Sequence, residues 1–494
     1  MKKEEKSKVT DIEVNKASFA SPQFTLISKD QIEEVHLASL DVLENVGNLC
    51  YSDKALEYFK NAGCSVNGKL VKVPAWLAQE AINYAPKRVT IYNRKGERAM
   101  ELERRRSFYG NAPTAPFTRD IYSGEKRNTT LEDIALHSRI IDNLPNIDFI
   151  CPPGTPQDVP GPIVQEYMLK ETILNSKKPI VQMCNDELGV QAAFEIAVAV
   201  AGSEETLYDK PFLIIYPEPT SPLMISEEAA NRIIKASELR LPLIYLSAPM
   251  LGATSPVTPA GTAVQGNAEC LFGLVLSHLV RKGNPFGFGV YAHGFNMTYG
   301  NAMMCDPSAY ITYNIHAQVA QYYGIYTWGL AGACDSKTVD GQAGIECALT
   351  LFLNALCGLN LIHDSGFLES CMVESAEIFV ICNEMISWVK QFMKGVDFSR
   401  EALGRELIEK VGPKGTYLAE DHTAKHFREI FWDTKLFDRG PRHVWENNGS
   451  KTFEQRVKEK TIELAEHSTV EPLDEAVVKK VSDIVEKYRK IRKV

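Results

Sequence analysis

Short apolar runs in this chain repeatedly end in residues able to do chemistry. "FLIIYPEP" ends on Tyr216 and Glu218, and "PFGFGVYA" on Tyr291, with His293 and Phe295 just beyond. "IYTWGLA" carries Trp328 and leads through Gly332 to Asp335 and Lys337. "LNLIHDSG" carries His363 and Asp364 and is followed by Phe367 and Glu369. Aromatic faces with little competing positive charge suit a poorly hydrated cation such as a quaternary ammonium group. For any single aromatic, plain core packing explains the residue equally well, so the weight lies on their coincidence at the ends of runs.

That coincidence depends on the elements that position them. Eight short apolar runs, at 106–112, 147–153, 179–185, 212–219, 243–249, 285–292, 325–331 and 359–366, alternate with longer helical segments. Eight buried strands, each followed by a helix, are the pattern of a (β/α)8 TIM barrel, although alternation alone leaves an open doubly wound sheet as an alternative. In a barrel, the carboxyl ends of the strands gather at one mouth where the chemistry sits. The mouth then collects Asn111, Pro152, Cys184, Tyr216, Glu218, Ser247, Tyr291, His293, Phe295, Trp328, His363, Asp364 and Glu369. The small residues Gly329 to Ala333 are expected to let backbone and substrate come close there, and the helix after the seventh strand is expected to begin at Asp335–Lys337.

Around the barrel segment, 106–395, the chain divides into three further parts. Residues 1–25 are polar and read as disordered or extended. Residues 26–105 read as helices, the first capped by Ser28 with Glu33 nearby, followed by a hairpin over "RVTIYNRKGERAMELE". Residues 396–494 turn polar and read as a helical cap or arm, suited to a symmetric homo-oligomer.

Composition narrows the function. With 45% hydrophobic and 24% charged residues the chain is that of a globular protein, and its net charge of −9 argues against a nucleic-acid partner. Its first residues carry lysines without an apolar core behind them, so no signal peptide is read there, and no run approaches the roughly 20 apolar residues of a membrane span. Eleven cysteines without a CxxC pair point to buried thiols and a reduced cytoplasm. "HTAKH" sets His422 and His426 on one helical face as a possible metal pair, but it lacks the internal Glu of a zinc-protease helix, and no metal site is expected. "GFGVYA" has its glycines inside a strand rather than opening a helix, which is not a dinucleotide turn. No GxxxxGK[ST] and no GxSxG elbow occurs.

Four stretches, "GTAVQGNAECLFGLVLSHL", "VAQYYGIYTWGLAGACDSKTVDGQAGIE", "GLNLIHDSGFLES" and "VGPKGTYLAEDHTAKHFREIFW", match in order a known pattern. Together they resemble the trimethylamine methyltransferase superfamily, from roughly residue 30 to the C-terminus. The resemblance implies a barrel that moves a methyl group from an amine to the cobalt of a separate corrinoid protein. Archetypal members carry pyrrolysine in the segment matching Gly332–Cys334, before the Asp matched by Asp335, whereas this chain has standard residues there. That departure points to the non-pyrrolysine branch, whose members demethylate quaternary amines such as glycine betaine, proline betaine, carnitine or γ-butyrobetaine. The chain lacks an Asp-x-His-x-x-Gly cobalt-ligating motif, so the corrinoid is expected on the partner, with no cofactor held tightly here.

Within that reading no side chain is obligatory as a chemical catalyst. Trp328, Tyr291, Phe295, Tyr216 and Phe367 are expected to face the cation, with Gly332 leaving room. Asp335, Asp364 and Glu369 are expected to position it. His293, His363 and Lys337 are candidates to hold a substrate carboxylate, although Lys337 equally suits a pair with Asp335. Two other readings remain open: a barrel isomerase or lyase using His363 with a carboxylate, and a non-catalytic betaine-binding protein.

Overall fold

The computed structural model describes residues 22–494, so the reading of residues 1–25 as disordered or extended lies, up to residue 21, outside the described residues; beyond it, Phe24 N–H donates to the Leu356 carbonyl at 3.0 Å. The first helix, Lys29–Asp41, is capped by Ser28, whose box partner is Gln31 rather than Glu33. Gln31 is the N3 residue, where a side chain reaches back to the cap N–H; Glu33 lies too far along the turn. Helices Asp53–Asn61 and Ala75–Tyr84 follow, and then the hairpin Val89–Tyr92/Arg98–Leu102. Val89, Ile91, Met100 and Leu102 of that hairpin pack in one cluster with Phe108, Val181, Ile214, Ile244, Trp328 and Leu361. The hairpin meets the chain just before two strands, at Lys177 and Pro211, so it seals the amino ends of the parallel set.

The central strands are short, buried and parallel. Ile180–Gln182 pairs with Leu213–Ile215, which meets Leu243–Ser247, and Leu243–Ser247 lies in five-residue register with Phe286–Val290. A bridge from Phe288 to Thr327 leads to Trp328–Leu330, then to Leu361–Ser365, and from there to Phe108–Asn111. Gly110 bridges to Phe149, and Ile150 bridges back to Ile180. Each run is followed by a helix, from Leu131–Asp142 after the first to Ala376–Met393 after the last. The architecture is mixed α/β, built of parallel strands with helices between them.

The second run, expected as a strand over 147–153, pairs only at Phe149 and Ile150. Pro152 and Pro153 lack the N–H that would extend a ladder. The Asp148 carboxylate takes the Tyr109 N–H at 2.8 Å, replacing a backbone rung by a side chain. The helix expected from Asp335 begins instead at Gly341, because the N-cap is Asp340, whose carboxylate accepts from Ala343 N.

Helices Phe453–His467 and Glu475–Arg492 fold back over the outer helices, burying Val457, Thr461, Val481, Val485 and Tyr488. Arg492 forks onto both oxygens of Asp186 at 2.8 and 2.7 Å, and its Nε reaches the buried Glu166 at 3.0 Å. Between the outer helices and these two lies an arm of short helices, Arg400–Leu403, Arg405–Val411, Asp421–Ile430 and Arg442–Asn447, none of which buries a residue. Among the described residues no helix is long and apolar enough to cross a membrane.

Removing one member of a buried ion pair leaves its partner desolvated and unpaired. Arg492→Ala is therefore expected to lower unfolding stability by roughly 3 kcal/mol, with Arg492→Lys recovering only part because it lacks the fork. The urea midpoint of the two variants checks this.

Candidate functional site

Where the carboxyl ends of the parallel strands converge, the floor is aromatic and almost dry. Trp328 opens its strand and is 1% exposed. Its ring stacks on His363 at 4.0 Å and lies 5.4 Å from Tyr216 and 5.6 Å from Phe149. His363 Nδ1 lies 2.8 Å from the Gly329 carbonyl oxygen, and His363 Nε2 lies 3.1 Å from Asp364 Oδ1. Burial holds the imidazole neutral, down to about 3, against the weaker pull of that carbonyl.

Asp364 closes the floor. Its backbone sits at φ +81°, a left-handed conformation rare for a residue with a side chain. Its Oδ2 accepts the Tyr291 hydroxyl at 2.7 Å. Burial pushes its carboxyl up to about 8; the Tyr291 hydrogen bond opposes this and the Glu218 charge adds to it. Glu218 is likewise raised by burial, eased by its hydrogen bond from Tyr216 and by Arg232.

Above the floor, side chains keep partial exposure. Tyr291 meets the edge of His293 at 4.5 Å, and its hydroxyl lies 3.5 Å from Cys371 Sγ. His293 is held down to about 4 by burial, with the Asp335 charge opposing. Residues His293–Asn296 form a strand beside Met250–Leu251, which leaves Phe295 half-buried at the rim. Glu369, Ser370 and Cys371 are three consecutive left-handed residues that turn the hairpin between Phe367–Leu368 and Val373–Glu374. That turn carries Cys371 to Tyr291 and sets Phe367 in a small cluster with Ala112, Ala115 and Ala333.

The structure thus gathers Tyr216, Tyr291, His293, Trp328, His363 and Asp364, with Phe295 and Phe367 at the margin. Three expected residues are taken up by other partners. Both oxygens of Asp335 are occupied by Met304 N–H, while Cys305 N–H and the Ser370 hydroxyl add to them, so this carboxylate fastens two loops. Lys337 is exposed and donates to the Asp335 carbonyl at 2.7 Å. Glu369 pairs with Lys126 at 2.6 Å on the outside of its hairpin. Gly332 gives no clearance: at φ +82°, an added Cβ would lie 2.7 Å from Ser365 Oγ and 3.1 Å from Cys382 Sγ. Gly329 is equally hemmed in, by Leu359. These glycines admit neighbouring protein, not ligand.

His422 and His426 face each other with ring centroids 4.6 Å apart on the arm, where His426 Nε2 meets Glu401 at 3.1 Å. Cys371 and Cys151, both close enough to Asp364 to feel its charge, were absent from the sequence-based set. Cys151 stands at the end of a run and was legible in principle. Cys371 arrives through a left-handed turn that no local spacing announces.

Known proteins sharpen the picture. The fold is similar to that of the Methanosarcina barkeri monomethylamine methyltransferase MtmB, with a TM-score of 0.51 at 11% identity over 95% of this chain and 89% of that one. The family described as Trimethylamine methyltransferase (MTTB) matches residues 1–492. The trimethylamine methyltransferase MttB of Desulfitobacterium hafniense (strain DSM 10664 / DCB-2) is 33% identical over 461 residues, 93% of each protein. The glycine betaine methyltransferase of D. hafniense (strain Y51) is 29% identical over 428 residues, 86% of this chain and 89% of its own. The chain belongs to the trimethylamine methyltransferase family. The enzyme class expected from the sequence, a methyltransferase, agrees with these names.

Tyr291→Phe deletes the hydroxyl that Asp364 Oδ2 accepts. It is expected to destabilise the fold by roughly 1–2 kcal/mol and to move the Asp364 titration upward, since the lost bond was lowering it. Urea denaturation and infrared titration of the carboxyl band report the two effects separately.

Proposed function

We propose that this chain transfers a methyl group from a quaternary amine of the betaine type to cobalt(I) in a separate corrinoid protein. The single observation that carries this reading is the convergence of Tyr216, Tyr291 and Trp328 around a neutralised carboxyl floor, with half-buried Glu218 beside it. A (β/α)8 barrel over 106–395 is the proposed scaffold, supported by the parallel pairings that lead strand by strand from Phe108–Asn111 back to it. Residues 26–105 then cover its amino end, and 396–494 form the arm.

The chemistry asks little of side chains. A quaternary nitrogen already carries its charge and leaves as a neutral amine, so no proton need be delivered. The carbon–nitrogen bond breaks with its electron pair returning to nitrogen, while the cobalt(I) pair forms the new cobalt–carbon bond. The chain holds the cation against ring faces and aims one methyl outward. Charge leaves nitrogen as the transition state forms, so a strong counter-ion at the floor would stabilise the ground state more than the transition state. Standard residues packed tightly at Gly332–Cys334 favour a substrate that needs no activation by a special side chain.

The corrinoid protein is the proposed partner, and a second copy of this chain is proposed to cover the arm. Phe398, Leu418, Ile430 and Phe431 stand 70%, 87%, 64% and 67% exposed in an arm whose short helices bury none of their residues. Helices this short do not persist without packing. A reducing cytoplasm is the proposed location, in keeping with eleven free cysteines.

Supplied with cob(I)alamin and a panel of methylated amines, the protein is expected to demethylate at least one carboxylated quaternary amine and to leave trimethylamine intact. Mass spectrometry of the products decides. Turnover of tertiary amines alone would reject the quaternary reading. Sedimentation velocity is expected to give a species of at least twice the monomer mass, with Phe398→Glu/Phe431→Glu shifting it toward the monomer.

A further inference from the structure

The close contacts of Asp364 place a single proton between its carboxyl and His363. A backbone carbonyl only accepts, so the 2.8 Å contact between Gly329 O and His363 Nδ1 places a hydrogen on Nδ1. In a neutral ring, Nε2 is then a bare acceptor. It faces Asp364 Oδ1 at 3.1 Å, and two acceptors at that distance repel unless a proton lies between them. The other oxygen, Oδ2, is already supplied by the Tyr291 hydroxyl at 2.7 Å. An ion pair here would leave two desolvated charges, and both side chains are only 2% exposed, which favours the proton on Oδ1. The His363 ring cannot swing away, because Trp328 lies against its face at 4.0 Å. Asp364 itself is held at φ +81°, a strained conformation that persists only where surrounding contacts over-determine it.

Resting on the reading of this site as a quaternary-amine pocket, we propose that Asp364 is a positioning residue that works as a neutral acid. It donates to His363, accepts from Tyr291 and keeps the floor beneath the cation uncharged. Losing its proton would turn the floor into a buried counter-ion that grips the substrate ammonium more tightly than the transition state. High pH is thus expected to lower KM and kcat together.

Several titratable groups face this carboxyl. Glu218 lies after one strand, with Tyr216 beside it; Cys151 follows another. Cys371 comes from the strained turn, Tyr291 from the strand end opposite, and Tyr310 and Tyr313 from helix Pro307–Tyr323. Burial raises the phenols and thiols, so Glu218 is the competing carboxyl. His363 is held neutral over the range concerned.

The first test needs no substrate. The folded protein keeps a proton on Asp364 that the unfolded chain releases in the ordinary carboxylate range. Raising the pH between that range and about 8 therefore favours the unfolded wild type and not Asp364→Asn, whose amide donates to His363 permanently. The stability of Asp364→Asn relative to wild type is expected to grow from about pH 5 to about pH 8 and then level off. A gap that stays constant over that span, or narrows, overturns the proposal. Should Asp364→Asn fail to fold, infrared difference spectra of the wild type supply the same decision. One protonated-carboxyl band must disappear as the pH passes about 8 and must persist as a feature of Glu218→Gln; its absence at neutral pH overturns the proposal.

The second test uses whichever betaine is turned over. Asp364→Ala is expected to lose about tenfold or more in kcat, with Asp364→Asn restoring most of that loss. Only proteins that retain Asp364, Glu218→Gln included, should show kcat and KM falling together above about pH 8. A folded Asp364→Asn as impaired as Asp364→Ala would mean that the ionised carboxylate is required, and would overturn the proposal. If no betaine is turned over, the substrate reading fails, while the pH dependence of stability still decides the protonation of Asp364.

Discussion

A carboxyl group taken out of water must either find a cation or keep its proton, and this requirement organises the centre of the molecule. Asp364 has no lysine or arginine among its described hydrogen-bond partners; it has a phenol on one oxygen and an imidazole on the other. The imidazole is pinned in turn by a backbone carbonyl and a stacked indole. These groups come from three neighbouring strands: Tyr291 just after Phe286–Val290, Trp328 and Gly329 in Trp328–Leu330, and His363 and Asp364 in Leu361–Ser365. Parallel register is what brings the three together. A slip of one residue would turn each side chain to the opposite face and dismantle the network.

The strands and helices were legible because burial on both sides leaves continuous apolar runs and helical segments of distinct period. Tyr216, Tyr291 and Asp364 were legible for the same reason, since they sit near where such runs stop, whereas Trp328 and His363 lie inside theirs. What lay beyond the stops was not. After the strand ends the chain builds small sheets of two to four residues per strand, such as Met250–Leu251 with His293–Asn296 and Asn301–Met303. Segments so short have no periodicity to read, and their pairing is decided by distant residues. Asp335, Lys337 and Glu369 belong to this layer, which is why nearness in sequence to Trp328 or Asp364 did not place them in the cluster. The run at 147–153 shows the converse. Its composition is that of a strand, yet Pro152, Pro153 and the intruding Asp148 side chain leave it with isolated bridges.

The periphery follows a different rule. The last two helices carry a narrow apolar stripe and are tied by Arg492 to Glu166 on one outer helix and to Asp186, the N-cap of the next. The arm before them leaves large apolar side chains such as Phe398, Leu418 and Phe431 exposed. One part of the C-terminal region completes the chain's own surface, whereas the other presents a surface of its own. Composition alone, polar in both, did not separate them.

The packing behind Gly332 also bears on how such a scaffold changes its chemistry over time. Where the family resemblance places a long activating side chain, this backbone lies against Ser365 and Cys382, and its carbonyl receives the thiols of Cys347 and Cys382. Introducing a long residue there is not a one-codon event. The wall behind it would have to retreat on two neighbouring elements at once, and every intermediate would be overpacked. The packing that leaves no room behind Gly332 thus makes the wall self-locking, since any single enlargement meets two neighbours at once.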